Sequence, residues 1–298
     1  MDRAVILCSP VVTGQESDTM PIIHLLARVP LRALYLLSGG LSFLLYRVVR
    51  YRRRVVRENI AAALPDRSAA AQRRIERAFY RYLADLVLEV IAASALPRSA
   101  FTSRVTLRNP QLFDAAIRDR GAPMLVLAIH QGNWEWMLHA ATLSLDTPIH
   151  AVYKPLHSAR WDAFAVAMRS RFGSSPLPMQ RAFRSVLRNR HRSIAYALVA
   201  DQSASRHGYR TQFLGREATF YRGADQMART VDAPVIFIQC RRLGRGHYEA
   251  IFHSLSMPPH DCGENAITER YIALAERCIR EQPETYLWSS RRWRRKAL

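Results

Sequence analysis

The stretch PMLVLAIHQGNWEW, Pro123 to Trp136, decides the fold. Residues 123–129 form an unbroken apolar run, as expected of a strand buried on both faces of a sheet. A helix from Trp134 to about Ser144 follows. Downstream the alternation repeats: a strand over Pro148–Tyr153, a helix over Ala159–Phe172, a strand over Ser193–Ala200, a helix over Gly223–Val231 and a strand over Pro234–Gln239. Residues 236–253, interrupted by LGRG, read as a hairpin at the sheet edge, and a last helix runs from about Asn265 to Glu281. Strands separated by helices imply an α/β class with a mainly parallel central sheet flanked by helices.

Upstream of this core the chain is helical. Leu31 to Val49 reads as a helix with Pro30 at its start. Between Arg32 and Arg47 it carries no charge, which marks it as membrane-associated: a short span, or a helix lying in one leaflet. A core helix is the competing reading. Arg47, Arg50, Arg52, Arg53, Arg54 and Arg57 follow, with Glu58 as the counter-charge near in sequence, and suit an anionic lipid surface. Ser68 to Ser94 is a second helix, with Phe79, Leu83, Leu86 and Val90 on one stripe. The expected organisation is therefore residues 1–19 disordered or an upstream mis-assigned start, 20–60 a membrane-associated helix with a basic juxtamembrane segment, and 61–298 the α/β domain.

The 298 residues carry a formal net charge of +20, with 49% hydrophobic and 23% charged residues. This usage excludes an extensively disordered chain. Only Lys154 and Lys296 are lysines. Codon bias explains that ratio but not the net charge, which calls for an anionic partner. Cys8, Cys240, Cys262 and Cys278 show no CxxC spacing and fit a reducing compartment.

His130 closes a strand, and reactive groups gather at the carboxyl ends of strands in open α/β sheets. Glu135 falls in the first turn of the next helix, close enough to hydrogen-bond the imidazole and fix its tautomer. No GxSxG elbow is present, so the pair suggests direct general-base catalysis on a hydroxyl, with the backbone N–H groups of Gln131-Gly132-Asn133 stabilising an oxyanion. His139 is the one further residue near ligand spacing, and HxxxxExxxH is not a zinc pattern, so no metal is expected. Asp201 and Gln202 also lie at a strand's carboxyl end, where they orient substrate or cap a loop. Arg169 and Arg171 end a helix, placed either for its dipole or as a phosphate clamp. The C-terminal YLWSSRRWRRK interleaves Trp with Arg; single-stranded nucleic acid, lipid headgroups or plain solvation would each suit it, but no nucleic-acid module is recognisable.

Six elements in order resemble the late acyltransferases of bacterial lipid A biosynthesis, within the wider glycerolipid acyltransferases. They are an apolar segment followed by YRRRVVRENIAAALP (Tyr51–Pro65), HQGNWEW (His130–Trp136), AVYKP (Ala151–Pro155), ADQ (Ala200–Gln202), FLG (Phe213–Gly215) and PETYLWSSRRW (Pro283–Trp293). The resemblance implies transfer of a fatty acyl chain from an acyl carrier protein thioester to a hydroxyl of a phosphorylated glucosamine lipid. It implies no cofactor, no nucleic acid, and a place at the cytoplasmic face of a bacterial inner membrane. By the match His130 is the base and Glu135 its partner, Asn133 positions substrate or water, and Arg169, Asp201 and Gln202 support them. Ser290, Trp293 and Lys154 depart from the family's usual His, Phe and Arg. The departures leave room for another acceptor, a lysophospholipid or an ornithine lipid. A non-catalytic basic membrane-binding protein is the rival from another class.

Overall fold

A computed structural model of the protein describes residues 21–117, 121–204, 208–260 and 263–293; the expectation for residues 1–19 lies outside them. The helices are α1 (Pro21–Arg28), α2 (Leu31–Phe43), α3 (Arg53–Ala63), α4 (Ala69–Ala93), α5 (Arg98–Thr102), α6 (Pro110–Ile117), α7 (Trp134–Ser144), α8 (Ala159–Ser170), α9 (Met179–Arg188), α10 (Gly223–Val231) and α11 (Ala266–Glu281). The strands are β1 (Val105–Leu107), β2 (Met124–Ala128), β3 (Ile149–Tyr153), β4 (Ser175–Pro178), β5 (Ala195–Val199), β6 (Tyr209–Phe213), β7 (Arg216–Phe220), β8 (Val235–Gly244) and β9 (His247–Ser256).

Seven strands form one sheet in the order β1-β9-β8-β2-β5-β3-β4, parallel except for the β8–β9 hairpin; β6 and β7 form a separate hairpin. The mainly parallel α/β sheet expected from the strand–helix alternation is present. The β8–β9 hairpin does not end the sheet, because β1 pairs in parallel with β9 and covers it. Three residues of β1 and the proline-flanked SPLP of β4 are too short to show a period, and so escaped the sequence reading.

β2 is central and buried at every position. Successive side chains of a strand point to opposite faces. Leu125 and Leu127 accordingly join a core built with α4, α10 and α11, whereas Met124, Val126 and Ala128 join a second core built with α5, α6 and α7. Two cores explain why the run is apolar without alternation.

The N-terminal segment carries the helix expected over Leu31–Val49, as α2 and its continuation to Val48, with α1 before it and α3 after it. Beyond Phe43 the coil widens into a π turn over Leu44–Val48, and Arg50 and Arg52 take φ values of 51° and 48°. The chain then enters α3 at a bend of 89°. No single helix among the described residues is long and apolar enough to cross a membrane, although the bent pair passes by length and composition. The inner side of α2 packs on α4 through Leu34 and Ser38, while Leu36 and Leu37 on the same helix are exposed.

The arginine block also has more counter-charge than its neighbours in sequence suggest. Buried Glu76 of α4 takes Arg53 at 3.0 Å and Arg57 at 3.2 Å, Glu58 takes Arg54 at 2.7 Å, and Arg52 donates to the Ser289 carbonyl at 3.0 Å.

The Trp/Arg segment near the C-terminus is core rather than a tail as far as Trp293; residues 294–298 lie outside the description. Tyr286 and Trp288 are fully buried, and Trp293 stacks on Phe213 with ring centres 5.9 Å apart. Arg292 is 3% exposed and lies 4.2 Å over the Phe220 ring. Of residues 286–293 only Arg291 is exposed, so the interleaved Trp and Arg side chains do not form a nucleic-acid or headgroup surface here. We predict that Trp288→Ala destabilises the fold by about 3–5 kcal/mol, the usual cost of emptying a buried aromatic site. Denaturant unfolding of the two proteins measures it, and a difference below about 1 kcal/mol, the scale of ordinary surface changes, would place Trp288 outside the core.

Candidate active site

The register of the central strands sets up the site. β2 and β5 pair in parallel with Ala128 opposite Val199, and the Ala200 N–H continues the ladder to the Ala128 carbonyl at 2.9 Å. His130 and Asp201 each lie two residues beyond that last pair. They therefore emerge side by side at the carboxyl ends of their strands. The His130 Nδ1 stands 2.6 Å from Asp201 Oδ1, and the same oxygen accepts the His130 backbone N–H at 3.2 Å.

The partner of His130 is thus Asp201 and not Glu135. Glu135 instead accepts two hydrogen bonds from Arg169 of α8, Nε to Oε2 at 2.9 Å and Nη2 to Oε1 at 2.5 Å, with a third from the Trp134 indole at 3.1 Å. A carboxylate that receives the planar fork of an arginine has its lone pairs engaged. The first-turn spacing brought Glu135 to the site, as expected, but pointed it at α8.

Electrostatics follow these pairings. Burial pushes the His130 imidazole toward a lower pKa; the charge and hydrogen bond of Asp201, helped by Glu135, outweigh it, and the net shift is upward from 6.5. Burial would raise Asp201, and His130 together with backbone N–H groups overrides this and lowers it. Glu135 behaves alike: burial raises it, Arg169 prevails, and it is lowered.

The turn between strand and helix is held from several sides. The Gly132 N–H donates to the Thr285 carbonyl at 3.1 Å, the Gln131 N–H to the Ile129 carbonyl at 2.8 Å, and the Asn133 N–H to Cys240 Sγ at 3.2 Å. All three groups expected to form an oxyanion hole are therefore engaged within the protein. Gly132 adopts φ +63°, and a Cβ there would stand 2.5 Å from the Cys240 carbonyl oxygen, so only glycine fits. Tyr82 donates to the Gly132 carbonyl at 2.6 Å. The PETYLW segment supplies the remaining brace: Leu287 donates to the His130 carbonyl at 3.0 Å, and Gln131 bridges to Tyr286.

Asn133 is fully buried. Its side-chain oxygen caps α7 by accepting the Trp136 N–H at 3.0 Å, and its amide donates to Glu89 Oε2 at 2.8 Å. It holds the turn and does not reach the cavity surface. Glu89 is fully buried and also accepts from Tyr248 at 2.6 Å and Tyr35 at 2.9 Å. Burial raises its carboxyl, against those three hydrogen bonds.

A cavity of about 530 Å³ opens beside His130. Glu135, Arg169, Lys154 and Gln202 line it with His130, while Val126, Ile149, Ile238, Phe113 and Phe252 give it a long apolar wall. Its size suits a small-molecule or single-chain ligand. Asp201 stands behind His130 and is absent from the wall. Arg171 is not at the site: it donates to the carbonyls of Ala93 and Leu96, closing the end of α4. His139 is a core residue against the Phe101 and Phe172 rings, its pKa depressed to about 4 by burial, and no cluster that could hold a metal occurs among the described residues. Burial pushes the Cys240 and Cys278 thiols up to about 12, unsuited to nucleophilic work.

Sequence reasoning missed two pairings, His130–Asp201 and Glu135–Arg169, and the lining role of Lys154. The equal offset of His130 and Asp201 from their strand ends was the signal for the first.

A family model for bacterial lipid A biosynthesis acyltransferases matches residues 19–295. No curated protein sequence matches significantly. Among solved structures, the 1-acyl-sn-glycerophosphate acyltransferase from Thermotoga maritima is similar at 13% identity and a TM-score of 0.39, covering 85% of this chain and 98% of its own.

Asp201→Asn removes the charge that raises His130. We predict that the His130 titration midpoint, followed by NMR of the labelled imidazole, falls below its wild-type value toward or under 6.5. An unmoved midpoint would show that Asp201 does not control the ring.

Proposed function

Because the chain belongs to the bacterial lipid A biosynthesis acyltransferase family and is an acyltransferase, we propose that it moves a fatty acyl chain from an acyl carrier protein thioester to a hydroxyl of a phosphorylated glucosamine lipid, with His130 as general base. The observation that carries this reading is the orientation of one ring. Asp201 occupies His130 Nδ1, which leaves Nε2 as the nitrogen for chemistry beside a cavity with an apolar wall.

In this mechanism Nε2 takes the proton of the acceptor hydroxyl, and the alkoxide oxygen attacks the thioester carbonyl carbon. The tetrahedral oxyanion collapses, the carbon–sulfur bond breaks, and the imidazolium returns its proton to the departing thiolate. Asp201 stabilises the imidazolium between the two transfers without itself taking the proton. The acyl chain lies along Val126, Ile149 and Ile238, where burying each CH₂ contributes about 0.8 kcal/mol. With the backbone N–H groups of the turn engaged, the positive charge for the oxyanion comes from Arg169, held in place by Glu135. Gln202 at the cavity wall orients the acceptor. The exposed apolar side chains of α1 and α2, among them Ile22, Leu25, Leu36 and Phe43, lie in one leaflet of the inner membrane with the catalytic domain on its cytoplasmic side.

His130→Ala is expected to reduce turnover by about 10²–10⁴-fold, the range for loss of a positioned base, with the fold retained by circular dichroism. Near-wild-type turnover would remove the mechanism. Glu135→Gln should lower turnover too, because it weakens the hold on Arg169. The pH dependence follows from the sign of the His130 shift. The base works when neutral and its pKa is raised, so kcat/KM rises with pH through a midpoint above 6.5. A midpoint below 6.5 contradicts the assignment. Mass spectrometry of lipids with and without the gene tests the acceptor: under-acylated lipid A supports the reading, and a changed phospholipid pool alone overturns it in favour of a lysophospholipid.

A further inference from the structure

The arginine block near the N-terminus is partly paired, Arg53 and Arg57 with Glu76 and Arg54 with Glu58, whereas a second run of positive charge stands beside the cavity. Between Asp162 and Asp201 the chain contains no acidic residue, yet carries Arg169, Arg171, Arg181, Arg184, Arg188, Arg190 and Arg192. Arg169 and Arg171 are engaged, as described above. The others belong to α9 and the turn after it.

α9 divides sharply into two faces. Met179, Ala182 and Phe183 line the cavity, and Val186 is buried in the core. Arg181, Arg184 and Arg188 recur at helical spacing on the opposite side and are exposed. Among the described residues no carboxylate comes within ion-pair distance of any of them. A row of like charges on one helix face is self-repelling, and an acidic partner relieves it. The helix begins at the carboxyl end of β4, so its first turns stand at the same edge of the sheet as His130. Leu156, Phe183 and Tyr221, each partly exposed, rim the cavity beside it. The arginine face is thus one helix diameter from the cavity wall.

We infer that the outer face of α9, through Arg181, Arg184 and Arg188, docks the acidic carrier protein that delivers the acyl thioester. This rests on the acyl-transfer reading above. A carrier that presents its thioester on a flexible arm must dock within that arm's reach of His130, and α9 offers uncompensated positive charge at the cavity rim. An anionic lipid surface is the weaker match. The apolar side chains that would enter a leaflet are concentrated on α1 and α2, while α9 exposes a single large apolar residue, Phe183, among its arginines.

The test uses the full-length enzyme and two charge variants, Arg181→Glu/Arg184→Glu/Arg188→Glu and the milder triple Gln form. Turnover is measured with acyl-loaded acyl carrier protein and with the same acyl chain on free pantetheine. Labelled carrier is titrated by fluorescence anisotropy, and binding to vesicles of phosphatidylglycerol and phosphatidylethanolamine is followed by flotation. The expected result is a fall in kcat/KM for the carrier-borne donor of about 10- to 1,000-fold, the range over which electrostatic steering changes encounter rates. Carrier affinity falls in parallel, and pantetheine turnover and vesicle binding hold. Equal losses with both donors, or an unchanged carrier affinity, overturn the inference. Loss of vesicle binding with carrier kinetics intact overturns it in favour of a lipid surface. If the wild type turns over neither donor, acyl transfer fails as a reading, and the anisotropy still decides whether α9 binds the carrier.

Discussion

The parallel register of β2 against β5 is the constraint on which the site depends. Because Ala128 faces Val199, the residues two steps beyond each strand are brought within 2.6 Å. A one-residue slip would send every side chain of β5 to the other face and break both cores. The register is therefore enforced by packing of Leu125, Leu127, Tyr196 and their alternates, not by the His–Asp contact itself. The reactive geometry is inherited from apolar burial, which is the larger free energy. A hydrogen bond of this kind contributes only about 1.5–3 kcal/mol when one partner is charged.

Within that frame two buried carboxylates serve two different basic side chains. Asp201 takes His130 and Glu135 takes Arg169, and both acids are lowered despite burial. Separate partners keep the two functions apart. Had Glu135 faced the imidazole, as the spacing suggested, Arg169 would stand as an uncompensated charge 19% exposed beside the cavity, a costly arrangement. Pairing it with Glu135 fixes its direction, and the upward shift of His130 survives the repulsion of Arg169.

Much of the sheet could be read from the chain because its strands are long enough to show a pattern. PMLVLAI, the β3 run and the β8–β9 hairpin all carried it, and α7 and α10 were readable to the residue. β1 and β4 could not be read, since three or four residues carry no period, and their strand identity comes from the neighbours they pair with. The same limit applied at the site. His130, Glu135, Asp201 and Gln202 could be picked out by their positions at strand ends and helix starts. Who pairs with whom could not, because α8 and the β2–β5 register are tertiary facts. The backbone N–H groups of Gln131-Gly132-Asn133 looked free in sequence; their acceptors, Ile129 near by and Thr285 and Cys240 far along the chain, are set by the fold. The YLWSSRRW segment misled for a related reason. Arg and Trp in alternation resemble a surface tail, yet aromatic rings on Phe213 and Phe220 turn the same composition into core.

The buried polar cluster around Glu89 and Asp85 gives α2 a part in the site that its apolar composition conceals. Tyr35 of α2 and Asn133 of the HQGN turn both donate to Glu89, one to each carboxylate oxygen. One helical turn earlier on α4, Asp85 accepts from Ser38 of α2 and pairs with Arg242 at 2.6 Å and Arg245 at 3.0 Å. The outward side of α2 is apolar, and its inward side is tied by hydroxyls to Asp85 and to Glu89, the acid that holds the turn after His130. Withdrawing α2 would leave Glu89 and Asp85 each short of a donor in a low-dielectric interior, at about 1–3 kcal/mol for each unsatisfied group. The share borne by Glu89 falls on the contacts that keep Asn133 at the start of α7. The helix expected to meet the lipid is therefore part of the scaffold of the turn, because Glu89 ties Tyr35 of α2 to Asn133, three residues after His130.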